Sequence, residues 1–147
     1  MKKEQVLNYL KEKININLHS LNEEFESLVE DKTRDTKSSA GDKFETSREM
    51  IQQSEKIISS RILELRKQME AIEKLTTKDC NKVEFGALVY TNNEIFLFGI
   101  GGSKFEIENL KIIPISFNSP LGHLFKNKAV GDIVSLNSKQ YTITNIQ

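Results

Sequence analysis

Asp31-Lys-Thr-Arg-Asp-Thr-Lys-Ser-Ser-Ala-Gly41 holds no large apolar side chain, and it separates two runs whose apolar residues return every seventh position. Before it, Leu7, Ile14, Leu21 and Leu28 keep that spacing, with Leu18 and Phe25 on the alternate seam positions. After it, Ile51, Ile58, Leu65 and Ile72 repeat the pattern, with Ile62 and Met69 between them. A seven-residue repeat marks a helix that buries a narrow stripe against another helix. Two such helices joined by a short polar link close on each other as an antiparallel hairpin. Neither run contains proline, so the helices are uninterrupted. An arm of about 30 residues is roughly 45 Å long. The expected register sets Leu7 near Ile72 at the base and Leu28 near Ile51 at the tip. Lys11, Arg48 and Glu55 fall on seam positions, either as solvated edges or as residues that fix register at some cost in stability.

Asp42 and Glu45 stand where the second helix begins, in Gly41-Asp-Lys-Phe-Glu45. One turn separates them, so a helix starting near Gly41 projects both from one side of its first turn. Acids in a first turn favour the helix dipole with no further function. At the end of a narrow probe they are also half of a divalent-metal site. Phe44 either packs across the tip or meets a partner. Arg34, Lys37 and Lys43 are bases near helix ends, solvated or placed against phosphate.

After Asn81 the chain becomes β-branched, aromatic and sparsely charged, and the apolar period falls to two. Val83–Tyr90 and Ile95–Phe98, joined by Thr91-Asn-Asn-Glu94, read as a β-hairpin. Glu108–Ile115 reads as a further strand, and Gly99-Ile-Gly-Gly-Ser103 as a loop too short and misplaced for a dinucleotide site. Ser119-Pro-Leu-Gly-His-Leu-Phe-Lys-Asn127 reads as a short helix with Ser119 as cap and Pro120 in its first turn. Ile133–Leu136 and Tyr141–Ile146 pair around Asn137-Ser-Lys139. The switch divides the chain into an N-terminal antiparallel coiled-coil hairpin, 1–78, and a small antiparallel β domain with one short helix, 79–147. The fold class is α+β.

The 147 residues are 37% hydrophobic and 29% charged, with a formal net charge of zero. No global basic field therefore drives nonspecific nucleic-acid binding. Cys80 is the only cysteine, which excludes an intrachain disulfide and a cysteine-rich zinc site; it reads as a buried or half-buried small residue. His19 and His123 have no partnering motif, and no Ser/His/Asp or Cys/His set is visible. No apolar run has the length of a signal peptide or membrane span, so the expectation is a cytoplasmic protein with no membrane partner.

Ile115-Ser-Phe-Asn-Ser-Pro-Leu-Gly-His-Leu-Phe-Lys-Asn-Lys-Ala-Val-Gly-Asp132 resembles the bacterial transcript-cleavage factors GreA and GreB. Ser119-Pro-Leu-Gly122 and Gly131-Asp132 match their C-terminal pattern, with Asn127-Lys128 where Gly-Lys is usual. Phe85-Gly-Ala-Leu-Val89 and Tyr141–Ile146 resemble that family's first and last strands. Gly41-Asp42-x-x-Glu45 matches the family's tip, while Thr46-Ser-Arg-Glu49 departs from the Asn-Ala-Glu-Tyr that follows there. The chain is identified as a divergent member.

The resemblance implies an FKBP-like β domain that docks on RNA polymerase through Asn118, Ser119, Pro120, Leu121 and Gly122. It further implies a coiled coil that enters the polymerase secondary channel, where Phe44, if it is not packed across the tip, would meet RNA or polymerase. Asp42 and Glu45 would then share a Mg²⁺ ion with the polymerase, which hydrolyses its own backtracked transcript. Asp is common in the family where Asn118 stands. Such a factor is a monomer and no free-standing enzyme, and it meets nascent RNA and DNA only inside the transcription complex. The ion is not held stably by two carboxylates alone, because Mg²⁺ needs more oxygen ligands than they supply. Two other readings stand beside this one: a channel-binding regulator or inhibitor that does not cleave, and a coiled-coil interaction module unrelated to transcription, used for self-association or as a scaffold.

Overall fold

The structure, a computed structural model, describes residues 1–35 and 41–147, with side chains described for 1–34 and 45–147. Two long helices come first, α1 (Lys3–Asp35) and α2 (Gly41–Glu73), each of 33 residues. Each is therefore about 50 Å long. The chain forms two compact units: Lys11–Glu70, and Met1–Leu10 together with Ala71–Gln147.

In the first unit the seam follows the heptads. Ile14 and Ile58 are buried, and Leu18, Leu21, Phe25, Leu28, Ile51, Ile62, Leu65 and Met69 are half-buried among exposed neighbours. The register differs from the expected one. Lys32 Nζ lies 3.5 Å from Glu55 Oε2 across the pair, and Phe25 shares a groove with Ser59 and Ile62. Pairing 32 with 55 and 25 with 62 sets Leu28 level with Ile58 and Ser59, about a heptad beyond Ile51. A heptad slide superimposes one apolar stripe on the next, so periodicity alone does not choose among registers. Charge does. In the expected register Lys32 would be level with Ser47 and Arg48, a like-charge meeting inside the seam. In the observed one Lys32 and Glu55, both on seam positions, neutralise each other.

The second unit is built on a six-stranded sheet in the order β3-β4-β2-β1-β6-β5. Its strands are β1 (Leu88–Thr91), β2 (Ile95–Phe98), β3 (Phe105–Ile107), β4 (Leu110–Ile115), β5 (Ile133–Leu136) and β6 (Lys139–Ile146). The expected hairpins are present: Tyr90 pairs with Ile95, and Val134 with Tyr141. The second turns through Asn137 and Ser138, both at positive φ as a tight primed turn requires. Two features went beyond expectation. β3 is a three-residue strand folded back on β4 through Glu108 and Asn109, also both at positive φ. And β2 pairs with β4 in parallel, within an otherwise antiparallel sheet. Pro114 sits in β4 beyond the reach of β3, which pairs only as far as Ile112, so its missing N–H costs no ladder bond on that side.

Alternation sorts the sheet's faces. Val89, Phe96, Phe98, Tyr141, Ile143 and Ile146 point to one, where they bury Phe125 of the short helix α3 (Pro120–Phe125). Phe125 lies 5.2–5.9 Å, ring to ring, from Phe98, Phe96 and Tyr141, an aromatic centre that seats α3. Burial pushes the Tyr141 phenol up, and Glu94 beside it adds to the rise. Leu88, Leu97 and Ile112 are buried on the opposite face. There Tyr9 stacks on Phe105 at 5.8 Å, and Tyr90 donates to the Met1 carbonyl. The first turns of α1 thus belong to the sheet's core.

Candidate functional site

The arm carries the first group of candidates. Helix α2 begins at Gly41, so positions 42 and 45 fall within its opening turns, three residues apart. Glu45 is exposed. The side chains of Asp42 and Phe44 lie outside the described residues, as do those of Lys37 and Lys43. Oxygen donors of this kind suit Mg²⁺, and two carboxylates fill only part of its octahedron. Among the described residues, no three His, Cys, Asp or Glu side chains gather as a metal site. Arg34 is exposed, and His19 is paired only with Glu23, one turn away on the same exposed helix face.

The loop into α3 carries the second group, and its geometry is fixed by four hydrogen bonds. Ser119 is the N-cap: its Oγ accepts from Gly122 N at 3.1 Å and donates to the Ser116 carbonyl at 2.7 Å. Ser119 N also donates to that carbonyl, at 3.1 Å, and Asn118 N donates to Ser116 Oγ at 3.2 Å. Pro120 follows in the first turn, where its missing N–H costs nothing. Gly122 is buried, and a Cβ there would stand 2.1 Å from the Ser116 carbonyl oxygen and 2.7 Å from Phe117 Cα. Only glycine permits the helix to lie that close to the segment that leads into it.

The five residues expected to dock therefore divide by role. Asn118 and Pro120 are exposed and present side chains to solvent. Ser119 is engaged as a cap, Leu121 packs on the aromatic core, and Gly122 is a spacer. Ser116 and Phe117 escaped the sequence reading, yet they hold the loop. Phe117 stacks on Phe98 at 5.6 Å, and Ser116 supplies both acceptors. Their signal was the Ser-x-x-Ser spacing ahead of the proline, which permits a serine-anchored turn. Leu124, Val130 and Ile133, 40%, 56% and 60% exposed, add apolar surface to α3, the turn after it and β5. Among the described residues, no helix is long and apolar enough to cross a membrane.

No protein-family model matches the sequence, and no curated protein matches it. Among solved structures the chain is similar to GreA factor homolog 1 (Gfh1) of Thermus thermophilus, at 17% identity over 93% of this chain and 94% of that one, with a TM-score of 0.37.

Proposed function

We propose that this chain is a Gre-like transcription elongation factor that binds RNA polymerase and stimulates the polymerase's own cleavage of backtracked transcripts. One observation carries the reading: Gly41-Asp42-x-x-Glu45 opens the second helix of a long helical pair, in the same chain as a Ser119-Pro-Leu-Gly122 cap on a small sheet. The two motifs lie far apart in sequence and have unrelated local causes, so their joint presence is more informative than either alone.

The parts divide the work. The loop Asn118–Gly122 and the apolar surface beside it dock on the polymerase. The helical arm, residues 11–70 and about 40 Å long, enters the secondary channel. Asp42 and Glu45 offer carboxylates at the active site and complete nothing by themselves. A Mg²⁺ ion bound there would supply Lewis-acid activation of water. The chain's own contribution is placement of charge, and without polymerase and RNA it has no substrate. A second reading follows from Thr46-Ser-Arg-Glu49: altered groups beside the acids leave a channel-binding regulator that slows synthesis without cleaving.

A defined backtracked elongation complex separates the two. Shortened RNA with the wild-type chain, lost in Asp42→Asn and Glu45→Gln while polymerase binding persists, supports cleavage. Slowed synthesis without shortening supports the regulator. Full cleavage by either variant overturns the role of the acids, and absence of polymerase binding overturns the whole proposal.

A further inference from the structure

Lys3 is the one charged residue buried among the described residues, 2% exposed, and its amine does not face a carboxylate. It donates to the Lys78 carbonyl and lies 3.5 Å from the Sγ of Cys80, which is itself 4% exposed. Both belong to the sheet-bearing unit. A lysine in a core is costly unless its donors are met, and a methionine of similar length would fill the same space. The pairing with the chain's single thiol is therefore a specific arrangement, and it lies outside the candidate sites above.

The geometry points to an oxidative cross-link between Lys3 Nζ and Cys80 Sγ, a sulfenamide formed with a peroxide as oxidant. In the first step the Cys80 thiol becomes a sulfenic acid: sulfur gives two electrons to the peroxide O–O bond, one oxygen joins sulfur, and the other leaves as water. In the second, the Lys3 ammonium gives a proton to a base in solvent, and the amine so formed attacks sulfur opposite its S–O bond. The N–S bond forms, the S–O bond breaks, and the departing hydroxide takes a proton from nitrogen as a second water. The separation of 3.5 Å is that of a near-attack pair, so no rearrangement of the fold precedes bond formation.

The surroundings favour this outcome over further oxidation. Burial pushes the Cys80 thiol up, Lys3 lowers it in part, and Glu84 beside it raises it again, so the first step is slower than for a free thiol. Glu84 is exposed and leads from the thiol to solvent. Once formed, the sulfenic acid meets an amine already in contact, whereas a second peroxide must enter from outside. Cys80 lies in the segment 76–84, which has no helix or strand, so the cross-link fastens that segment to the start of α1.

Treatment of the full chain with hydrogen peroxide, followed by intact-mass analysis and peptide mapping, tests this. A loss of about 2 Da, reversed by a thiol reductant and mapped to a peptide joining Lys3 to Cys80, is expected, together with a higher thermal midpoint for the oxidised form. Cys80→Ser and Lys3→Met lose the mass change. Mapping of the wild-type chain stands on its own should Lys3→Met fold poorly. An unreacted thiol, a gain of one or two oxygens without cross-link, or a 2 Da loss mapped to any other nitrogen overturns the proposal.

Discussion

Gly122 in α3 and Asn118 in the loop before it, four residues apart, respond to substitution in opposite ways. The fault in Gly122→Ala is contact, since its Cβ would meet backbone atoms that cannot rotate away. Displacing them pulls Phe117 off Phe98 and shifts the α3 seat, for a loss of about 3 kcal/mol in denaturant unfolding. Ser119→Ala costs about 1 kcal/mol for the lost cap, because the Ser116 carbonyl still accepts from Ser119 N. Asn118→Asp, which restores the acid common in the resembling family, changes stability by less than about 0.5 kcal/mol, since the side chain is exposed and only its backbone N–H is used. Under the proposed function, tighter polymerase binding by that variant at unchanged stability would make contact the loop's role. Ser119 and Pro120 were legible because a cap and a first-turn proline are local chemistry. The need for glycine at position 122 was not, because it depends on where a different segment of backbone lies.

At the scale of elements, the existence of both long helices was legible and their register was not. Heptads say which face is buried, and a slide by one heptad leaves that statement true. The discriminating residues are Lys32, which the sequence reading passed over, and Glu55, which read as a flaw in the seam; together they are its charged match. Their side chains are 32% and 19% exposed, so solvent screens them and the coupling is about 1 kcal/mol or less. Lys32→Glu alone places two acids across the seam and lowers the unfolding midpoint. Adding Glu55→Lys restores most of the loss, and added salt weakens both effects. A double variant no more stable than the single one removes this pair as the register determinant. Ile58→Ala, by contrast, removes a buried side chain one turn along α2 from Glu55 and costs about 2–4 kcal/mol, independent of salt. The β3–β4 hairpin was half legible: β4 showed its apolar run, whereas a three-residue β3 carries too few positions for a period.

For the whole molecule, the change of period after Asn81 marked two kinds of structure, but it did not show where the sheet's core would draw its material. Val6, Leu7 and Leu10 are buried, and Tyr9 stacks on Phe105, so the opening of α1 is core for a sheet formed some 80 residues later. Periodicity is a local signal, and this packing partner is remote. The consequence is testable by excising the arm. A chain with 11–70 replaced by a short Gly/Ser link retains Met1–Leu10 and Ala71–Gln147, and with them the aromatic centre around Phe125 and the apolar layer on the opposite face. It is expected to unfold cooperatively and to keep a near-ultraviolet signal from Tyr141. A chain of 79–147 alone lacks Val6, Leu7, Ile72 and Leu75 and is expected to be markedly less stable, because the face bearing Leu88, Leu97 and Ile112 is left open to water. Equal stability of the two would show that the helix ends contribute nothing to the core. Under the proposed function, the excised chain also competes with the full one for polymerase while failing to shorten backtracked RNA. That reading assigns binding to the sheet-bearing unit and delivery to the arm, so cleavage by the excised chain would break the division, and loss of competition would move the docking surface onto the arm.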